Sequence, residues 1–269
     1  MINKYPTTFR LLFMVFLFAF AILSPDFLFK IVPIPFMGVI LLVLATWVLY
    51  KLDKKDLKAL GLTFQIKTIA FLFAGTLLGI ISHALSTYSR TLYTGEKWHL
   101  NPELDWSYLL SAVWGVLASA ITQQLLFRGY GFTKTLEKSN LLIANIIWGS
   151  LFVLYHNIWG SNPYDIPLMI LSLFMAHYVF SSALLKSATL YFPIGIHFGH
   201  NWSSQYLNAY KPGDYGIFDL TNQRVLSTFP TVIIFPLTYN LGFIILMFIL
   251  WRWKSHKHPY WFKSSAQRS

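Results

Sequence analysis

The sequence predicts an all-α fold, a polytopic integral membrane helical bundle with about eight transmembrane helices. Of the 269 residues, 55% are hydrophobic and only 12% are charged, which is about half the charged fraction of a soluble domain. A transmembrane helix needs about 20 mostly apolar residues, and eight stretches of the chain approach that length. Because no long polar segment separates them, residues 1–269 are predicted to form a single integral membrane domain.

Each predicted helix is an apolar stretch that a short connection separates from the next. In chain order the stretches are Leu11–Leu23 (extended by a turn on either side), Ile31–Tyr50, Thr68–Leu85, Ala112–Leu136, Leu141–Ile158, Ile166–Leu185, Thr189–Leu207 and Thr231–Trp253. The fourth and fifth are joined by the polar stretch 137–140, which predicts the tip of an antiparallel hairpin.

Charge and cysteine content limit the kinds of site and partner that the protein can have and predict its orientation. The absence of Cys excludes disulfides, iron–sulfur clusters and thiolate zinc sites. A net charge of +11 could indicate nucleic acid, but the apolar content favours membrane lipids as partners and no nucleic acid is expected. With the N-terminus in the cytoplasm, 15 Lys and Arg fall on that side and 5 on the other. This bias predicts that both termini are cytoplasmic, and the expected location is the plasma (bacterial inner) membrane.

The ten carboxylates all fall in the predicted connections or near helix ends. None lies in the middle of a predicted span. Ion pumps and proton-coupled transporters usually carry an intramembrane acid, so a transporter or channel is a minor alternative.

Five uncharged polar residues of the predicted spans fall at one depth. By helix rise, Gln123, Gln124 and His156 are about 24 Å from the hairpin tip near residue 140, and Asn201 is about 22 Å from Lys186, near the start of its span. His197 lies one turn before Asn201, so all five residues can meet. We interpret this convergence as a joint site.

Other interpretations exist for single residues. A membrane Gln, Asn or His often serves as an interhelical contact. Arg128 lies about 18 Å from the hairpin tip and could snorkel. His200 has no predicted partner and is taken as structural.

The polar residues also form three motifs. The sequence from Gln123 to Gly129 reads Gln-Gln-Leu-Leu-Phe-Arg-Gly, Phe152 and His156 form Phe-x-x-x-His, and His197 and Asn201 form His-x-x-x-Asn. Three such motifs in order on three spans resemble the CPBP family, the CAAX proteases and bacteriocin-processing (Abi) proteins. The resemblance is strongest over about 110–205, which is the expected protease-like core.

The resemblance implies an intramembrane endopeptidase of metallo- or glutamate type. In that family the motif glutamates and histidines are thought to activate water, perhaps with zinc, and the last His and Asn to stabilise an oxyanion. By this resemblance the catalytic candidates are Gln123, Gln124, Arg128, which would orient the first motif, His156, His197 and Asn201. A zinc ion would be held by His156, His197 and Asn201. The implied partner is a membrane-anchored or peptide substrate, or a partner protein.

This sequence departs from the family at its first motif, Glu-Glu-x-x-x-Arg. Gln123 and Gln124 stand where the motif has two glutamates. An amide cannot take a proton near neutral pH, so proteolysis and zinc binding should both be weakened. Three explanations stay open. The chain is a natural pseudoprotease that binds or regulates membrane proteins or acts in immunity. Alternatively, it is an active enzyme made inert by paired substitutions, or an active variant that uses its histidines.

Overall fold

The computed structural model describes residues 7–23, 36–160, 163, 165–209, 215–221 and 236–254. These residues form nine α-helices and three short strands. The helices are α1 (Thr7–Leu23), α2 (Met37–Leu52), α3 (Ile66–Thr94), α4 (Trp106–Arg128), α5 (Tyr130–Lys138), α6 (Leu141–Tyr155), α7 (Ile166–Ser187), α8 (Tyr191–Tyr206) and α9 (Leu241–Arg252). The predicted all-α class is confirmed. Parts of the second and eighth predicted spans, 31–35 and 231–235, lie outside the described residues.

Among the described residues, three helical segments are long and apolar enough to cross a membrane: Ile66–Leu92, Trp106–Lys138 and Ile166–Ser187. Four shorter apolar helices accompany them. Along α3, Phe73, Leu77 and Ile81 follow one another at one-turn spacing and are all exposed, as a lipid-facing helix surface requires. The chain is therefore a helical integral membrane protein, and the number of eight spans stays a prediction.

The sequence predicts the fourth span as one helix, but the structure shows two helices there. The structure divides Ala112–Leu136 between α4 and α5, and Gly129 lies between them. A Cβ at this glycine would lie 2.2 Å from the carbonyl oxygen of Leu125, so the close backbone approach requires glycine. The break follows directly after Arg128, the last residue of α4.

The predicted hairpin tip is confirmed. Helix α5 ends at Lys138 and α6 begins at Leu141. The side chain of Asn140 accepts a hydrogen bond of 2.9 Å from the backbone N–H of Ile143 and caps α6.

Helices α3 and α8 pack backbone against backbone through two pairs of glycines. Gly75 and Gly79 on α3 face Gly195 and Gly199 on α8, and a Cβ at any of the four would lie 2.1–2.5 Å from a backbone oxygen of the other helix. Such pairs of small residues four apart allow membrane helices to approach closely. This contact places the polar residues of α3 beside the last motif.

An ion network ties α1, α2 and α5 together. Asp53 accepts hydrogen bonds from Arg10, Lys134 and the Tyr130 hydroxyl, and Lys55 pairs with Glu137. With the N-terminus in the cytoplasm, the sequence predicts the five charged residues Arg10, Asp53, Lys55, Lys134 and Glu137 on the cytoplasmic side, and the structure gathers them at one end.

A small sheet, which was not predicted from the sequence, lies at the C-terminal ends of α3 and α8. Its strands are β1 (Lys97–Leu100), β2 (Asn208–Ala209) and β3 (Phe218–Thr221), in the order β1-β3-β2. β1 and β3 are antiparallel and pair His99 with Asp219, whereas β2 and β3 are parallel. β2 follows α8 directly, so the sheet holds the end of the helix that carries the last motif.

Candidate functional site

A cavity of about 350 Å³ lies beside the α3–α8 contact. Side chains of α3 and α8 supply most of its polar lining, and α6, α7 and α9 supply most of its apolar lining. The polar lining residues are His83, Ser86, Thr87, Arg90, His156, Ser172, His197, His200, Asn201, Ser204, Gln205 and Tyr239; the apolar ones are Phe152, Leu173, Ala176, Phe180 and Phe243. Within the described part of the chain, no Asp or Glu lines this cavity.

The first and third motifs meet at a hydrogen bond between α4 and α8. The side-chain nitrogen Nε2 of Gln124 lies 2.9 Å from Nδ1 of His197, and both residues are buried. An amide nitrogen only donates, so Nδ1 accepts and the neutral ring carries its proton on Nε2. Phe180 stacks on this ring at 4.7 Å between centroids and fixes its plane.

His156 has the opposite arrangement of its ring nitrogens. It follows the last residue of α6, and its Nδ1 lies 2.7 Å from the backbone carbonyl oxygen of Phe152. A carbonyl only accepts, so Nδ1 carries the proton and Nε2 of the neutral ring has a free lone pair. His156 therefore offers an acceptor where His197 offers a donor.

Phe152 lies between the groups of all three motifs. Its ring centroid is 4.6 Å from that of His156, 6.3 Å from that of His197 and 4.4 Å from the guanidinium carbon of Arg128. Because a buried ring with 2% exposure has little freedom, Phe152 sets the spacing of the two histidines.

Arg128 is fully buried next to this aromatic group. Its guanidinium lies over Phe152 and also 5.0 Å from the centroid of Phe180. Among the described residues, none accepts a hydrogen bond from Nε, Nη1 or Nη2 of Arg128. It is thus inside the bundle and does not snorkel.

Gln123 is placed differently from Gln124. Its side chain is buried, its Nε2 donates to the hydroxyl of Ser119 at 3.3 Å, and it does not line the cavity. Of the six predicted site residues, His156, His197 and Asn201 line the cavity, while Gln124 and Arg128 contact its walls from behind. Gln123 belongs to the same buried layer but bonds only within its own helix.

The cavity also contains residues that the sequence analysis did not assign. His83 on α3 bonds through Nε2 to the Thr87 hydroxyl at 3.2 Å, and its ring meets the edge of His200 at 5.3 Å. His200, which had been taken as structural, lines the cavity. The signal for this group was the glycine spacing of α3 and α8, because it predicts that the two helices pack closely.

The donors present do not meet the usual requirement of a zinc site. Within the described residues, no group of three or more His, Cys, Asp or Glu side chains could hold a metal ion. His156, His197 and Asn201 offer two imidazoles and one amide, whereas zinc sites use at least three His, Cys or carboxylate ligands. The buried Arg128 cation beside Phe152 disfavours a second cation further. Zinc binding stays a prediction.

Residues 105–203 match the family model described as "Type II CAAX prenyl endopeptidase Rce1-like". No curated protein and no solved structure gives a significant match to the chain. The matched segment runs from the start of α4 to the last motif on α8 and contains all three motifs. With these motifs on three packed helices, residues 105–203 support the resemblance to the CPBP family of CAAX protease-like membrane proteins.

Proposed function

We propose that this protein is an intramembrane endopeptidase scaffold whose proteolysis is absent or impaired because Gln123 and Gln124 replace the motif glutamates. The observation that carries the proposal is the neutral hydrogen bond between Gln124 and His197. It occupies the position where the family has an acid, and the described lining of the cavity offers no carboxylate instead.

The two histidines define what chemistry is left. Nε2 of His156 can accept the proton of an attacking water, and the Nε2–H of His197, with the Asn201 amide, can donate to an oxyanion. His156 is oriented by a backbone carbonyl and not by a carboxylate, so the imidazolium that forms is poorly stabilised. Loss of a general base typically lowers the rate by about 10²–10⁴, and we expect a deficit of that size.

The test is cleavage of a membrane-anchored fluorogenic peptide by the reconstituted protein. We expect this chain to cleave the peptide about 10²–10⁴-fold more slowly than the variant Gln123→Glu, Gln124→Glu. Adding His197→Ala to that variant should abolish the gain, since the same oxyanion donor is required.

Two results would contradict this proposal. If the double variant folds but cleaves nothing, the scaffold is not a competent protease. If the unchanged chain cleaves the peptide well and loses this activity in His156→Ala, the histidines suffice and the chain is an active enzyme.

A second candidate is a pseudoprotease that binds or regulates membrane proteins, or acts as an immunity factor. The observation that favours it is the cavity itself, since about 350 Å³ is within the range of ligand-binding pockets although the acids are absent. This candidate predicts that a partner protein or peptide stays bound to the purified protein, and that its binding survives His156→Ala.

We propose the plasma membrane, in bacteria the inner membrane, as the location, with both termini in the cytoplasm. The excess of 15 over 5 basic residues on one side supports this orientation. The partners are membrane lipids and a membrane-anchored or peptide ligand.

A further inference from the structure

Helices α3 and α8 run in the same direction and in step with each other. A Cβ at Gly75 would lie 2.5 Å from the carbonyl oxygen of Phe192, and a Cβ at Gly79, one turn later, would lie 2.2 Å from that of Ile196. Each turn along α3 therefore advances the contact by one turn along α8. At these two turns the glycines of α3 leave no space between the two backbones.

The next two turns of the same register are polar and form what we call the polar wall of the cavity. The ring of His83 meets that of His200 at 5.3 Å between centroids, and its Nε2 lies 3.2 Å from the hydroxyl oxygen of Thr87. The register then places Thr87 beside Ser204. All four residues line the cavity, and Nδ1 of His200 is buried without a hydrogen-bond partner among the described residues.

The apolar lining of the cavity comes from other helices. Leu173, Ala176 and Phe180 lie on one face of α7, since they are three and four residues apart, and Phe152 of α6 and Phe243 of α9 complete this lining. The cavity is therefore amphipathic. Its hydrogen-bonding groups come mainly from α3 and α8, and its apolar surface comes from α6, α7 and α9.

The length of the polar lining fits an extended peptide. From His197 to Ser204, α8 presents polar residues to the cavity over seven positions, about 10 Å by helix rise, and about three residues of extended strand have the same length. An extended backbone carries N–H and C=O groups along its whole length, and these must be paired inside a membrane domain. A lipid carries its polar group at one end only, so polar lining of this length favours a peptide.

We propose that the polar wall binds the backbone of an extended peptide whose apolar side chains pack against α7 and α9. His83 and Thr87 of α3 are then specificity-determining residues that contact the ligand beyond the catalytic candidates. Both lie outside residues 105–203, which match the family model, and none of the three motifs includes them. This inference rests on the proposed endopeptidase scaffold, because it describes how that scaffold holds its peptide.

The test compares an apolar fluorescent peptide with analogues in which a single amide is replaced by an ester. Binding to the full unchanged chain in detergent is measured by fluorescence anisotropy. An ester has no N–H donor, so we expect at least one analogue to bind about 2- to 10-fold more weakly than the parent peptide, as the loss of one hydrogen bond predicts. Equal affinity of the parent and every analogue would overturn the proposal.

Two variants assign this hydrogen bond to the polar wall. Thr87→Val and His83→Phe should each reduce the difference between ester and parent, because the two side chains bond to each other and hold one another in place. Thr91→Val is the matched control and should keep the difference, since the Thr91 hydroxyl donates to the Tyr88 carbonyl oxygen and does not line the cavity. If either variant of the polar wall folds and keeps the full difference, these residues do not bind the backbone.

The failure of this inference is distinguishable from that of the proposed function, because binding is measured without cleavage. If the ester effect is found but the Gln123→Glu, Gln124→Glu variant cleaves nothing, only the proposed function fails. If that variant cleaves the peptide and no ester analogue loses affinity, only this inference fails. A lysophospholipid that binds and loses affinity in Thr87→Val, while no peptide binds, would overturn the proposal in favour of a lipid.

Discussion

The amide of Gln124 and the imidazole of His197 are joined by a buried hydrogen bond of 2.9 Å between α4 and α8. The two residues are 73 positions apart in the sequence, and each belongs to a different motif of the family. This bond determines which nitrogen of His197 is protonated, and it holds together the two helices that carry the first and third motifs.

The bond between Gln124 and His197 should contribute measurably to stability. In a double-mutant cycle with Gln124→Ala and His197→Ala, we expect a coupling free energy of about 0.6–2 kcal/mol, the range for hydrogen bonds between membrane helices. The measurement is unfolding by SDS in mixed micelles. The control cycle combines Gln123→Ala with His197→Ala and should be additive, because the Gln123 side chain bonds to Ser119. Coupling in the control cycle but not in the first cycle would contradict the assignment.

The glycines at the contact between α3 and α8 should not tolerate substitution by alanine. In Gly79→Ala and Gly199→Ala the new Cβ would lie 2.2 Å from the Ile196 oxygen and 2.1 Å from the Thr76 oxygen. We expect a loss of unfolding free energy of about 1–3 kcal/mol or more, together with weaker ligand binding as α3 moves from α8.

Gly115 on α4 provides the matched control for these variants. Apart from the backbone of its own helix, no described heavy atom lies within 4 Å of the corresponding Cβ position, so Gly115→Ala should stabilise the helix by up to about 1 kcal/mol. An equal loss in all three variants would show that helix–helix contact is not the cause.

Among the carboxylates of the ion network, Asp53 should contribute most to the unfolding free energy. Asp53→Asn leaves Arg10 and Lys134 without their shared partner, and their side chains are only 15% and 11% exposed. We expect a loss of about 2–3 kcal/mol in unfolding free energy, below the range of about 3–5 kcal/mol for fully buried pairs.

Glu137→Gln is the graded control for the network. Its carboxylate is 21% exposed and its partner Lys55 is 25% exposed, so the loss should not exceed about 1 kcal/mol. A larger effect of Glu137→Gln than of Asp53→Asn would contradict the assigned order of burial.

The orientation can be tested by labelling single cysteines, since the chain has none of its own. We expect a membrane-impermeant maleimide to label Asp165→Cys in intact cells and Ser139→Cys only after permeabilisation, because basic residues favour the cytoplasmic side at residue 139. The reverse pattern would invert the topology, and it would bring the site within the cytoplasmic half of the bilayer.

The affinity for zinc should rise when glutamates replace Gln123 and Gln124. By titration calorimetry we expect the Gln123→Glu, Gln124→Glu variant to bind zinc about tenfold or more tightly than the unchanged chain, a scale on which even outer-shell partners change metal affinity. His156→Ala in the double variant should remove this gain. Equal affinity in all three proteins would remove zinc from the site.

The fold class could be predicted from the sequence alone, and so could the grouping of His156, His197 and Asn201, which line the cavity. Apolar length predicts membrane helices because no water is present to bond an exposed backbone. Spacing of four residues predicts a common helix face, so the placement of His197 and Asn201 on one face, and of Phe152 and His156 on another, needed no structure. The hairpin at 137–140 followed from its polar residues.

Tertiary packing decided what the spacing could not. The break at Gly129 brings its backbone close to the carbonyl oxygen of Leu125. Phe152 and Phe180, which are distant in the sequence, enclose the guanidinium of Arg128, so this side chain does not reach the membrane surface. His83 belongs to the cavity only because four glycines bring α3 against α8. Local sequence encodes a helix and its faces, whereas the partner of each face depends on packing between residues distant in the chain.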